Sequence, residues 1–203
     1  MTNAALSISR FIDRISSWLG IIATWLVLCA ALLSAANAFF RYFINEIIAL
    51  ARYSDRFWAL RSLLDWYGAN SNAFLEMQWY MFGAMVMLGA PFTLKVNEHV
   101  RVDLLYGSVS ERTRTWIDLI GGTLCLLPLC AVLAYFTWPW FVDSWIGAET
   151  STNSGGLIRW PIKLILPVGV GLLFVQGLSE IIKCIAALRT NYVRPYAYEK
   201  PLQ

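Results

Sequence analysis

Four long stretches of the chain contain no charged residue and no histidine, and they constrain the fold more than any other feature. They have 22, 18, 24 and 16 residues. In chain order they are Leu19–Phe40, Met77–Leu94, Leu119–Val142 and Leu164–Ser179. A helix needs about 20 apolar residues to cross the roughly 30 Å hydrocarbon core of a bilayer. The sequence therefore predicts a membrane protein with four spanning helices.

The fourth stretch reaches a spanning length only if it begins at Trp160 and passes Glu180. Lys163 and Lys183 are then expected to extend their ammonium groups to the two membrane interfaces. The predicted spans are about 19–40, 77–94, 117–141 and 160–182. Hydrophobic residues make up 58% of the 203 residues, above the roughly 45–50% of soluble domains. We therefore expect an all-α membrane protein with one four-span domain over residues 1–203.

The segment between the first two spans has a helical pattern of its own. Its apolar residues recur every three or four positions, at Leu50, Tyr53, Phe57, Leu60, Leu64 and Tyr67. This spacing predicts an amphipathic interfacial helix over about 47–67, lying on the outer membrane surface or packed on a partner protein. The run Gly68–Asn72 is expected to end it. A second local prediction is a capping box at Ser108–Glu111, which would begin a helix leading into the third span.

The distribution of Lys and Arg predicts the orientation. Ten of these residues lie outside the spans on the side of the two termini, and six lie on the other side. The positive-inside rule therefore predicts that both termini are cytoplasmic. Ala36–Ala38 resembles a signal-peptidase site after an apolar run, but the run is long and continues beyond it. We expect the first span to remain uncleaved.

The residue types of catalytic and cofactor sites are scarce. His99 is the single histidine, so a haem held by two histidines of this chain is excluded, and no HExxH, GxSxG or P-loop motif is present. The four cysteines form no CxxC pair and are expected to be small apolar residues. The sequence predicts no catalytic, cofactor-binding or metal-binding residue. The scattered Lys and Arg do not indicate nucleic-acid binding.

The segment between the second and third spans carries the most specific pattern. Charged and apolar residues alternate from Glu98 to Asp103, which suits ion pairs with a neighbouring subunit. Its candidate subunit-interface residues are Glu98, His99, Arg101 and Asp103. With the basic residues that follow and the entry to the last span at Pro161–Gly169, this segment resembles the small membrane subunit of TRAP transporters, the DctQ-like family. The long loop after the first span is similar to the branch often labelled as mannitol, chloroaromatic or 2-oxo acid type.

The resemblance implies a tripartite, sodium-coupled secondary transporter in a bacterial or archaeal inner membrane. The partners would be a large permease subunit, which carries the sodium and substrate sites, a periplasmic substrate-binding protein, and membrane lipid. The small subunit would brace the large one without catalysis or a cofactor of its own, for uptake of an organic acid or related small solute. Its outer loops would face the binding protein. The candidate docking residues are Arg52, Arg56, Arg61 and Glu149.

Two other function classes remain open from the residues. The first is a membrane anchor subunit of a respiratory-type enzyme, against which the single histidine argues. The second is a small transporter that works alone. Ion-coupled transporters often place an ionisable residue at mid-membrane depth, and the four uncharged stretches offer none there.

Overall fold

The protein is a bundle of long helices. The computed structural model describes residues 2–52, 58–99, 106–190 and 192–196. Helix α1 covers Thr2–Arg52 and α2 covers Trp58–Val96. Helix α3 (Glu111–Gly121) continues through a π turn at Gly122–Leu126 into α4 (Leu127–Ile146), and α5 covers Trp160–Arg189. Across these ranges the only β feature is one isolated bridge, between Thr150 and Ile158.

The predicted fold class is confirmed. The structure has four helices that are long and apolar enough to cross a membrane, with α3 and α4 counted as one continuous rod. The four uncharged stretches lie within these helices. Each helix continues beyond the uncharged stretch that predicted it, most of all α1, which begins at Thr2 and ends at Arg52.

The separate interfacial helix over about 47–67 is not confirmed. Residues 47–52 belong to the end of α1, residues 58–67 belong to the start of α2, and residues 53–57 lie outside the described part of the chain. The predicted break at Gly68–Asn72 is wrong, because α2 runs through it. The Asn70 side-chain amide donates to the Trp66 carbonyl at 2.8 Å, and Asn72 donates to the carbonyl of Ser154 at 2.9 Å. These contacts outweigh the weak helix propensity of this run.

The N-cap of α3 lies two residues after the predicted one. Helix α3 begins at Glu111, and its N-cap is Ser110, whose hydroxyl accepts a hydrogen bond from the Thr113 amide at 3.3 Å. The predicted cap was Ser108. A capping serine normally serves the amide two or three residues further along, so Ser110 is the better placed of the two serines for a helix that starts at Glu111.

Helix α5 is the centre of the bundle. It packs against α1, α2, α3 and α4, while α1 and α2 form a close antiparallel pair. In the described ranges, α3 and α4 pack mainly against α5, which leaves a groove between α3 and the α1–α2 pair. We call the end of the bundle where the start of α1 meets the end of α5 the terminal face. The other end, with residues 147–159, is the distal face.

Candidate functional site

A cluster of polar side chains joins α1 to α5 near the terminal face. Its members share the inner faces of the two helices and interact with one another. They are Ser9, Asp13, Ser16, Gln176, Ser179, Glu180 and Lys183. We call them the terminal-face cluster.

The ammonium of Lys183 is the centre of this cluster. Its Nζ lies 3.0 Å from Oδ2 of Asp13 and 2.6 Å from Oε1 of Glu180. The Lys183 side chain is only 2% exposed. Two carboxylates therefore hold its charge within the bundle. That Lys183 reaches the membrane interface stays a prediction.

Gln176 links the charged pair to the hydroxyl groups of α1. Its amide nitrogen donates to Asp13 at 3.0 Å and to Glu180 at 2.8 Å, while its oxygen accepts from Ser16 at 2.7 Å. Gln176 is fully buried, and each of these contacts satisfies a polar atom that water cannot reach. The network therefore fixes the register of α1 on α5.

The sequence contained a pattern for this cluster that the prediction did not use. The polar residues on α5 lie at helical spacings of three and four from Gln176 to Lys183, and those on α1 do the same from Ser9 to Ser16. Each set therefore forms one face of its helix. A polar face on each of two otherwise apolar helices indicates that the faces pack together.

A second cluster holds the distal loop, residues 147–159, against α2. The buried carboxylate of Glu76 accepts hydrogen bonds from the Ser151 hydroxyl, from Nδ2 of Asn153 at 2.9 Å and from the Leu157 amide at 2.7 Å. Gly155 has φ +67°, and a Cβ there would lie 2.0 Å from the Ala69 carbonyl oxygen. Only glycine fits such a close approach with a left-handed backbone. We call the three hydrogen bonds that the Glu76 carboxylate accepts the Glu76 clasp.

An ion pair closes the other side of the distal loop. Lys163 at the start of α5 donates to Glu149, and its ammonium lies 4.5 Å from the centre of the Trp140 ring. The hydrogen bond from Lys163 holds the pKa of the Glu149 carboxyl below its ordinary value. The Glu149 side chain is 40% exposed, so its carboxylate is held at the surface of the loop. A carboxylate paired with Lys163 is thereby held at the distal face.

The predicted docking residues occupy different places. Glu149 lies in the distal loop as described, and Arg61 lies in the first turn of α2, partly exposed. Arg52 is the last residue of α1, and its side chain is outside the described part of the structure, as is the whole of Arg56. The structure does not bring Arg61 and Glu149 into contact with each other. Their docking role stays a prediction.

The predicted subunit-interface residues lie just beyond the end of α2. Asn97 adopts a left-handed conformation with φ 63°, which ends the helix, and Glu98 and His99 follow it with exposed side chains. The Glu98 amide donates to the Thr93 carbonyl at 3.2 Å. Arg101 and Asp103 lie outside the described residues. The interface role of these four residues stays a prediction.

Neither polar cluster has the composition of a metal or redox site. Across the described ranges, no three His, Cys, Asp or Glu side chains come together in a way that could hold a metal ion. All four cysteines are free thiols, two of them exposed and two buried. The two clusters instead pair carboxylates with amines, amides and hydroxyls, which is the chemistry of helix and loop positioning.

The comparisons with known proteins decide the family. The family model for the DctQ component of tripartite ATP-independent periplasmic transporters matches residues 70–187. The chain belongs to this family. The match begins in α2 and ends near the end of α5, so it includes the Glu76 clasp and the α5 half of the terminal-face cluster.

One curated relative extends the comparison. It is the C4-dicarboxylate TRAP transporter small permease protein DctQ of Pseudomonas aeruginosa (strain ATCC 15692), which is 26% identical over 124 residues. The match covers 57% of this chain, and the chain spans 59% of that relative's length. No solved structure matches the chain.

The family assignment confirms the resemblance found in the sequence. It also confirms that the chain is not an enzyme, since subunits of the DctQ family are non-catalytic components of transport systems. With four helices able to span a membrane, the chain is a multi-pass membrane protein.

Proposed function

We propose that this chain is the small membrane subunit of a tripartite transporter, bracing a large permease subunit and helping to dock a periplasmic binding protein. The substrate would be an organic acid, a class suggested by the C4-dicarboxylate name of the curated relative. Sodium coupling would belong to the large subunit. The α1 and α2 surfaces and the distal loop supply the contacts for these two roles.

The observation that carries the bracing role is the exposure of the spanning helices. Only 11%, 6% and 6% of the most apolar windows of α1, α2 and α3–α4 are buried within the protein, against 33% in α5. A four-helix bundle with so little internal packing leaves broad apolar faces at membrane depth. Such faces suit a subunit whose helices pack on a larger membrane protein.

The distal loop supports the docking role. It lies on one face and is held by the Glu76 clasp and by the Lys163–Glu149 pair. A pre-organised polar loop binds a soluble partner with a smaller entropic cost than a mobile one. The charge of Glu149 at its surface adds a contact for a basic group of the partner.

The variant Glu76→Gln tests the docking role. Asn153 donates to Oε1 of Glu76 and the Leu157 amide donates to Oε2. A glutamine has an acceptor oxygen at only one of these two positions, so one of the two hydrogen bonds is lost. A hydrogen bond to a charged acceptor contributes enough free energy to change a binding constant by about tenfold. We therefore expect the binding-protein concentration that gives half-maximal uptake to rise by about tenfold. The measurement is uptake of labelled organic acids by proteoliposomes containing this chain and the large permease, with binding protein added outside.

The control is Asp143→Asn, which removes an exposed carboxylate from the same face. It should leave the dependence on binding protein unchanged. If Glu76→Gln behaves like Asp143→Asn although hydrogen exchange shows a loosened loop, the docking role is wrong. If the wild-type chain fails to co-purify with the large permease, the bracing role is wrong, whatever the loop variants do.

A further inference from the structure

A large groove opens on one side of the bundle, between α3 and the α1–α2 pair, with α5 as its floor. Its volume is about 1490 Å³. The α1 wall is one helical face from Gly20 to Ala31, and the α2 wall runs from Met85 to Asn97. The groove is much larger than any single side chain, and it lies between helices that are able to cross a membrane.

The length of the groove matches one leaflet of a bilayer. At the rise of an α-helix, Gly20–Ala31 covers about 17 Å and Met85–Asn97 about 18 Å. The hydrocarbon core of a bilayer is roughly 30 Å thick, so each leaflet contributes about half of it. A transmembrane helix of a partner would contact a wall across both leaflets, whereas this groove ends near mid-membrane. Its length fits an amphiphile that belongs to one leaflet.

The polarity of the groove walls changes between the deep end and the end at the terminal face. The deep end is lined by aliphatic side chains, including Val27, Met85 and Leu173. The end at the terminal face is lined by polar ones, including Asp118, Glu180 and Arg194. An acyl chain fits the first end and a polar headgroup fits the second.

The charges at the terminal end have both signs. Nη1 of Arg194 lies 2.9 Å from Oδ2 of Asp118, and the Asp118 carboxylate also accepts a hydrogen bond from the Tyr106 hydroxyl. The Glu180 carboxylate pairs with Lys183, which lies behind the groove wall. The lining therefore offers two carboxylates and one guanidinium, together with the imidazole of His99. A headgroup with a phosphate and an amine complements this set better than a purely anionic headgroup does.

We propose that this groove binds one phospholipid of the terminal-face leaflet, with a zwitterionic amine headgroup beside Arg194, Asp118 and Glu180. The acyl chains would lie along the deep walls, between α1 and α3. The proposal requires only that the chain lies in a membrane, and it does not depend on docking or bracing. The chemistry of the ligand is that of phosphatidylethanolamine.

Gly121 provides a variant that fills the groove. It lies in the groove wall with helical dihedral angles, and a Cβ added there meets no atom within 4 Å. Gly121→Phe therefore places a ring in the groove without a clash at its Cβ. Gly171 is the matched control, because it is also a helical glycine with nothing within 4 Å of an added Cβ, but it does not line the groove.

The experiment uses the full chain reconstituted in vesicles of phosphatidylethanolamine and phosphatidylglycerol. After extraction in mild detergent, native mass spectrometry counts the phospholipid that stays bound. We expect one phosphatidylethanolamine per wild-type chain. Gly121→Phe should lower its affinity about tenfold, because the ring displaces about two buried methylenes, and Gly171→Phe should leave the affinity unchanged.

A second variant tests the headgroup without altering the apolar walls. Arg194→Gln should lose the preference for phosphatidylethanolamine over phosphatidylglycerol, while Arg189→Gln, at an exposed position outside the groove, should keep it. The proposal would be overturned if Gly121→Phe and Gly171→Phe retained equal amounts of phosphatidylethanolamine and the wild type showed no preference for phosphatidylethanolamine over phosphatidylglycerol. Loss of the large permease from Gly121→Phe, with phospholipid retention unchanged, would also overturn it and assign the groove to a partner helix.

Discussion

Lys183 is the residue on which the pairing of α1 with α5 depends most. Its ammonium is nearly inaccessible to water and lies between the carboxylates of Asp13 and Glu180. In Lys183→Met the two carboxylates remain close together without a cation, in a site that water reaches poorly. We expect the free energy of unfolding to fall by about 3 kcal/mol, as when one partner of a buried ion pair is removed. Equilibrium unfolding in mixed micelles of dodecyl maltoside and dodecyl sulfate measures this loss.

Lys163→Met is the control for Lys183→Met. It is the same substitution in the same helix, and Lys163 also pairs with a carboxylate, that of Glu149. That carboxylate is open to water, which solvates it when the lysine is lost, so the effect on unfolding should be much smaller. Equal losses in the two variants would show that burial does not set the strength of the Lys183 interactions.

At the scale of the helices, the sequence was sufficient to predict how many span the membrane but not where they end. An uncharged stretch must lie in the membrane, and this alone located all four spanning helices. The ends depend on tertiary contacts. Helix α1 begins well before Leu19 because Asp13 contacts α5 and Ser9 and Ser16 are buried against it. Helix α2 passes through Gly68–Asn72 because the distal loop packs there.

Helical spacing also separates the part of the site that was predictable from the part that was not. The spacing of Gln176, Glu180 and Lys183 shows that they share a face, but only the packed bundle shows that this face meets Asp13. Glu76 is a still harder case. Its three hydrogen-bond donors lie more than seventy residues away in an irregular loop, and no periodic pattern connects them.

The contact between α2 and α5 depends on a glycine. A Cβ added at Gly169 would lie 2.6 Å from Cβ of Met87 and 3.0 Å from its carbonyl oxygen. Gly169→Ala must therefore move the two helices apart, and overpacking of this kind costs about 1–3 kcal/mol. We expect a corresponding loss in the free energy of unfolding, measured in the same mixed micelles.

Gly171→Ala separates packing from helix propensity. The added methyl group at Gly171 meets nothing within 4 Å. Alanine favours a helix over glycine by roughly 1 kcal/mol, so this variant should be neutral or slightly more stable. If Gly169→Ala is as stable as Gly171→Ala, the close approach of α2 and α5 does not contribute to stability.

For the molecule as a whole, the two faces are expected to lie on opposite sides of the membrane, with the terminal face in the cytoplasm. Ten Lys and Arg lie on the terminal side and six on the other, which is the basis of this orientation. Thr152→Cys places a thiol on the exposed distal loop, and Arg189→Cys places one at the exposed end of α5. An impermeant maleimide should label Thr152→Cys in intact cells and Arg189→Cys only after the membrane is permeabilised.

The labelling requires a background in which the exposed Cys29 and Cys125 are replaced by alanine. The buried Cys130 and Cys184 stay, and the background without an added cysteine measures any reaction at them. The reverse labelling pattern would put the distal loop in the cytoplasm, where it could not meet a periplasmic protein, and would end the docking proposal. The phospholipid proposal would survive that result with its leaflet exchanged, because the groove opens at the terminal face whichever way the chain is inserted.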